Sequence, residues 1–187
     1  WLIELPRPLR FLMVGIFYYT ITISMAKAFL MLAQPGAWKV AYGHVAKADY
    51  LLHEHPSYNA PYYAGARFIN ESLPQDATVL FIGEERGYYC ERKFITASVL
   101  DVNPMLDLAH SSADADDLLV NLKRRKITHL LVNTGSEHYH RWLEGLTRES
   151  RIKYENLLKN KAELIFNHAQ DLPKDRSWVQ IYKLLGS

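Results

Sequence analysis

Hydrophobic and polar positions divide the chain into two unlike parts. From Phe11 to Ala26 the run FLMVGIFYYTITISMA carries no charge, and after Lys27 it continues through AFLML to Ala33. As a helix rising 1.5 Å per residue this stretch spans roughly 30 Å or slightly more, enough to cross a bilayer. The pattern predicts one transmembrane helix within residues 1–34. Lys27 is the obstacle, since a lysine centred in the bilayer costs about 2.5–3.5 kcal/mol on insertion scales. It lies about two turns from the end of the run, within snorkelling reach. Phe17, Tyr18 and Tyr19 fall towards the middle rather than at an interface, which predicts packing against protein as well as lipid. The competing reading is a long core helix of a soluble protein, apolar on all sides. A signal peptide is disfavoured because no small-residue cleavage site follows. Arg7 and Arg10 on one flank are matched by Lys39 and Lys47 on the other, so charge does not set the orientation.

Gln34-Pro35-Gly36 breaks the apolar run, and residues 35–58 read as a connector, partly helical, along the membrane surface. From residue 59 to 187 the punctuation is that of an α/β domain. Asn59 is placed to cap a helix from Ala60 to Leu73, which Pro74 ends. ATVLFIG reads as a strand buried on both faces, and KFITASVL as a second strand. Ser111 or Ser112 is placed to cap ADADDLLVNLKRRK, whose aspartates and basic residues sit at the dipole ends that favour them. ITHLLVN is a third strand, followed by helices near Glu137 to Leu146 and Ser150 to Lys159. AELIFNHA and WVQIYKLL close the chain as an antiparallel hairpin at the sheet edge. The fold class expected is α/β: a small Rossmann-like mixed sheet flanked by helices and preceded by one transmembrane helix.

Composition narrows the functional classes. Lys and Arg number 22 against 20 Asp and Glu, and a net charge of +2 gives no electrostatic case for nucleic acid. The single cysteine, Cys90, rules out an internal disulfide framework. The chain opens at Trp1 in mid-pattern, which reads as a piece of a longer protein.

The turn GEERGYYCERKF after the first strand carries the chemistry worth weighing. A dinucleotide cradle needs spaced glycines and a helix N-terminus immediately after the strand. Only Gly83 and Gly87 are present, a strand follows, and Glu84 and Glu85 repel phosphate. Carboxyl edges of α/β sheets are where binding groups collect. Glu84, Arg86, Tyr88 and Tyr89 therefore stand as candidate substrate-binding residues, suited to hydrogen bonding and stacking on a sugar or polar head group. The plainer reading is a Glu–Arg pair with tyrosines that pack the loop. The pairs His53/His55 and His138/His140 suggest metal, but neither sits in a convincing strand and no further ligand completes either set. Nucleophilic catalysis by Ser98 or Cys90 would need an adjacent base, and no Gly-x-Ser-x-Gly elbow is present. No cofactor, metal or catalytic residue is implied.

FINESLPQDATVLFIGEERGYYCERKFITASVLDVNP, followed by LKRRKITHLLVN, resembles the carboxyl-terminal end of bacterial polytopic glycosyltransferases of the C superfamily, the dolichyl-phosphate-mannose-protein mannosyltransferase-like proteins. There a last transmembrane helix leads into a small α/β domain. Its motifs are NE-x-LP, here Asn70 to Pro74, VLF-x-GE-x-R-x-YY, here Val79 to Tyr89, and ITH, here Ile127 to His129. The resemblance implies a parent enzyme that moves a sugar from a polyprenyl-phosphate-linked donor to a lipid, glycan or protein acceptor. It also implies membrane lipid and the rest of the parent as partners, and a tail domain outside the cytoplasmic (inner) membrane. The family's catalytic acidic residue lies in an early extracytoplasmic loop, a segment with no counterpart here, so the chain alone is expected to be non-catalytic. The rival expectation is a single-pass anchored binding or sensor domain with no catalysis in the parent.

Overall fold

The computed structural model describes residues 6–33, 36–53, 62–98, 100–168 and 179–186. The chain divides into two compact units, Trp1–Ser57 and Tyr58–Ser187.

The first unit holds α1 (Arg7–Ala33), α2 (Ala37–Ala41) and α3 (Lys47–His53). Apolar side chains lie all round α1, and Phe11, Phe17, Tyr18, Phe29 and Met31 are exposed. Its most apolar stretch, within Arg7–Met31, is long enough to cross a membrane and is nowhere buried. The hydroxyl of Thr20 donates to the Ile16 carbonyl, and that of Thr22 to the Tyr18 carbonyl at 2.8 Å. Both side chains thus satisfy their polar groups inside the helix.

In the second unit the elements are α4 (Tyr63–Ser72), β1 (Thr78–Ile82), β2 (Lys93–Ile95), α5 (Pro104–Ser111), α6 (Ala115–Arg124), β3 (His129–Asn133), α7 (Glu137–Gly145), α8 (Arg148–Asn160), β4 (Ala162–His168) and β5 (Val179–Leu184). They build a mixed sheet in the order β2-β1-β3-β5-β4. β2, β1 and β3 run parallel, while β5 is antiparallel to both β3 and β4. The expected α/β class, with a mixed sheet flanked by helices and an apolar helix before it, is what the chain adopts.

Residues of β1 and β3 are buried throughout because both faces of the sheet are covered. Side chains alternate between those faces. Leu80, Ile82, Leu130 and Val132 join Met105, Leu108, Leu118, Leu122, Trp142 and Leu157 from α5 to α8. Val79, Phe81 and Leu131 join Ala66 and Ile69 of α4 on the opposite face. α4 approaches the sheet so closely at Gly65 that a Cβ there would lie 2.5 Å from Val179 Cγ1.

Several boundaries differ from the sequence reading. Neither Ser111 nor Ser112 caps the helix carrying the acidic run: Ser111 ends α5 and Ser112 is its C-cap. Asp114 caps α6 instead, accepting from Asp117 N–H at 2.9 Å, while Asp117 Oδ2 accepts from Ala113 N–H at 2.9 Å. A short carboxylate reaches the third N–H as well as a serine does and adds charge at the positive end of the dipole. The hydroxyl of Ser112 is committed elsewhere, accepting from Asn121 Nδ2 at 3.0 Å. α5 is an element beyond those the sequence pattern predicts; Asn103 caps it and Pro104 opens it. The second strand is confined to Lys93–Ile95. α4 starts with Tyr62 at its N-cap and no side-chain cap bond; the expected cap, Asn59, lies outside the described residues.

Candidate functional site

β1 has β2 on one side and β3 on the other, so the chain reverses its winding there. In open α/β sheets such a reversal leaves a crevice at the carboxyl ends of the two strands, where ligands usually bind. The segment leaving β1 lies here. Gly83 turns it with φ +72, and a Cβ on that residue would lie 2.5 Å from Tyr139 Cβ and 2.9 Å from the Asn133 carbonyl oxygen. Only glycine fits both the left-handed backbone and the contact.

Glu84 follows, its residue only 4% exposed. Its Oε1 accepts from the backbone N–H groups of Glu85 at 3.1 Å and Arg86 at 2.9 Å, and from Arg86 Nε at 2.7 Å. Its Oε2 accepts from Arg86 Nη2 and from Asn133 Nδ2, each at 2.8 Å. The Glu84 carbonyl accepts from the Thr96 hydroxyl at 2.6 Å. Backbone donors that a phosphate would use in a nucleotide-binding turn are therefore occupied by the protein's own carboxylate.

Arg86 lies with its guanidinium carbon 4.3 Å from the centroid of the Tyr62 ring. Tyr89 contacts the rings of Tyr62, Tyr63 and Tyr88 at centroid distances of 6.2, 5.2 and 5.0 Å. Tyr88 is 84% exposed. Burial pushes the Tyr62 hydroxyl up to about 12, against the opposing pull of the Arg86 charge.

Two residues the sequence reading did not single out for a role hold this loop to α4. The Asn70 amide donates to the Tyr89 carbonyl at 2.8 Å and accepts from Glu91 N–H at 2.8 Å. Arg92, buried, donates through Nε to the carbonyls of Leu73 and Pro74 at 3.1 Å, and through Nη2 to that of Asn70 at 2.6 Å. It thereby satisfies carbonyls that the end of α4 leaves open. The two motif segments, Asn70 to Pro74 and Val79 to Tyr89, are thus one hydrogen-bonded unit. The available signal was an arginine three residues beyond the tyrosine pair, but its partners stand about twenty positions earlier.

Beside the loop opens a cleft of about 220 Å³, lined by Gly83, Glu84 and Glu85, by residues between Ala97 and Leu106, and by His138, Arg141 and Trp142 of α7. Of the four candidate binding residues only Glu84 lines it; Arg86, Tyr88 and Tyr89 group with Tyr62 instead. Glu85 Oε1 meets His138 Nδ1 at 3.1 Å. Asp101 Oδ2 accepts from the Ser98 hydroxyl at 2.7 Å. Asn103 donates to the Phe81 carbonyl at 2.8 Å and accepts from Met105 N–H at 3.0 Å, which joins the cleft wall to both β1 and α5. Trp142 is 7% exposed, and its Nε1 is buried with no acceptor among the described residues.

The remaining candidates do not converge on this crevice. His53 ends α3, and His55 lies outside the described residues. His138 and His140 are two positions apart on α7, about 200° round a helix, so they point to different sides. Among the described residues no three His, Cys, Asp or Glu side chains are grouped to hold a metal ion. Cys90 is half-buried, which pushes its thiol up, and Sγ lies 3.5 Å from the Arg92 carbonyl oxygen; this is a poor setting for a thiolate. A scan against protein-family models and searches of curated proteins and of solved structures find no match to the chain.

Proposed function

We propose that the chain is a membrane-anchored accessory module of a glycosyltransferase that uses a polyprenyl-phosphate-linked sugar. In this reading α1 lies in the inner membrane, and the α/β unit works on the extracytoplasmic side without a catalytic residue of its own. The observation that carries the membrane part is α1, 27 residues long, apolar on all sides and unburied along its most apolar stretch. The transferase part is supported by the motif residues Asn70 to Pro74 and Glu84 to Tyr89, which form one bonded unit at the carboxyl edge of the sheet. An acidic turn already neutralised from within suits a positioning role better than phosphate chemistry.

The test has two arms. Membranes carrying the chain are washed with alkali and probed with an added protease from each side. Sugar transfer from a prenyl-phosphate donor is then measured for the parent protein, for its Glu84→Ala and Arg86→Ala variants, and for the chain alone. Retention in the membrane, an α/β unit cut only from outside, reduced transfer in the variants and none by the chain alone are expected. A chain that stays in solution without detergent overturns the proposal. One observation favours the rival, an anchored binding domain without catalysis: the cleft is lined entirely by residues of the second unit. A parent that transfers no sugar, yet still binds a ligand there, would establish it.

A further inference from the structure

The cleft beside Glu85 offers chemistry that neither the turn nor the tyrosine group provides. Its polar rim mixes acceptors and donors. Glu85 and Asp101 present carboxylates, while His138 and Arg141 present nitrogens. The side chains of Glu85 and His138 are each about one-fifth exposed and are held against one another at 3.1 Å. Asp101 is fixed by the Ser98 hydroxyl at 2.7 Å, and Arg141 Nη2 lies 3.2 Å from Glu137 Oε1. Leu106 and Trp142 add apolar lining. A volume of about 220 Å³ falls below the roughly 300–1,000 Å³ of clefts that take drug-sized ligands, so the occupant is one ring rather than a nucleotide.

Charge selects further. Glu85 and Asp101 oppose an anion, and the backbone N–H groups that could bind phosphate are held by Glu84. A ligand whose every polar group both donates and accepts fits such a rim; hydroxyls do this, and carboxylates and ammonium groups do not. A sugar ring, with hydroxyls at its edge and C–H groups on its faces, also matches a lining that mixes charged side chains with Leu106 and Trp142.

We infer that this cleft binds one neutral pyranose ring, gripped at its hydroxyls by Glu85, Asp101, His138 and Arg141. The inference deepens the accessory-module reading and rests on it for the source of the sugar, a lipid-linked donor or a glycan acceptor, which share this chemistry.

The full chain, ¹⁵N-labelled and held in a detergent without a sugar head group, is titrated with methyl hexopyranosides, with a hexose 6-phosphate and with a short prenyl-phosphate hexose. Neutral glycosides are expected to move the amide signals of Ala97, Leu106 and His138 saturably, with a dissociation constant of roughly 1 mM for a ligand of this size. The hexose 6-phosphate should bind more weakly. Asp101→Asn and Arg141→Met, both at exposed positions, should each weaken glycoside binding about tenfold, whereas Ile152→Ala, at an exposed position of α8 outside the cleft lining, leaves it unchanged. A prenyl-phosphate hexose that binds more tightly than the glycosides at the same amides assigns the cleft to the donor; equal or weaker binding assigns it to an acceptor. The inference is overturned by three results: no saturable shift, a preference for the hexose phosphate over the neutral ring, or binding insensitive to Asp101→Asn and Arg141→Met. Membrane residence and parent transfer activity without glycoside binding remove this inference alone. Glycoside binding by a chain that never enters membranes removes the transferase reading and leaves the cleft assignment intact.

Discussion

Replacing Glu84 by alanine separates a residue that builds the turn from one that meets a ligand. The carboxylate holds two backbone N–H groups, two guanidinium nitrogens of Arg86 and the amide of Asn133. Breaking a buried ion pair typically costs about 3–5 kcal/mol because the surviving charge is stranded. Here the Arg86 side chain is 32% exposed and can turn to water, so its share is discounted heavily. The two backbone donors also lie in partly exposed residues and can be rehydrated. Asn133 cannot: it is fully buried, its Oδ1 already has no partner among the described residues, and losing Glu84 removes the acceptor of its Nδ2. An orphaned buried donor costs about 1–3 kcal/mol. Together these place the loss near 3 kcal/mol, a fall in melting temperature of roughly 10 °C for a unit of this size. Glu84→Gln, which keeps the shape and one acceptor, should lose about 2 kcal/mol. Thermal unfolding of the full chain in detergent, followed by near-ultraviolet circular dichroism, measures both, and Arg86→Met closes a double-mutant cycle. If Glu84→Ala lowers stability by less than about 1 kcal/mol while ligand binding or sugar transfer disappears, the carboxylate belongs to a ligand and the reasoning fails.

Other positions give sharper or simpler readouts. Arg92→Met strands the carbonyls of Asn70, Leu73 and Pro74, and chemical denaturation should show a loss of about 2–3 kcal/mol although the residue does not line the cleft. Gly83→Ala forces a left-handed alanine against Tyr139 and Asn133; at least about 2 kcal/mol should go, seen as a lowered denaturation midpoint. The Tyr62 hydroxyl, held near 12 in the fold against about 10 when unfolded, keeps its proton after the unfolded chain has lost it, so stability falls as pH rises from 10 towards 12. Tyr62→Phe should flatten that decline, and absorbance titration at alkaline pH should lose one late-ionising tyrosine. Lys27→Leu should raise the inserted fraction in a membrane-insertion assay, by up to about 2.5–3.5 kcal/mol if the lysine sits deep and by much less if it snorkels.

The parts of the fold legible in the sequence are those written locally. β1 and β3 show as short apolar runs because both faces of each are buried, and α8 shows through Tyr154, Leu157 and Leu158 sharing one face. α5 is hard to see in the sequence because DVNPMLDLAHSS offers barely two turns. β2 shrank to three residues for a related reason: Thr96 and Ala97 look strand-like, yet Thr96 spends its hydroxyl on the Glu84 carbonyl and leaves the ladder. At the site, the position of the turn and its unsuitability for phosphate were readable from two glycines and two glutamates. The inward fold of Glu84 and the separation of Arg86, Tyr88 and Tyr89 from the cleft were not. Those depend on Asn133, Asn70 and Tyr62, partners between about twenty and fifty positions away that no local pattern marks.

This internal bonding bears on what the module can do. A helix after the first strand would turn free N–H groups towards the crevice and invite an anion. The chain crosses from β1 to β2 by a loop instead, and fills the anion position with a carboxylate fixed by Arg86 and Asn133. Because the same loop is bolted to the end of α4 through Asn70 and Arg92, it is built as a rigid wall rather than a lid. Glu85, the next residue, is thereby presented to the cleft from a fixed backbone, its carboxylate braced by His138. Rigid placement of a few polar groups at an opening too small for a nucleotide favours recognition of a small neutral ring over chemistry on a charged one.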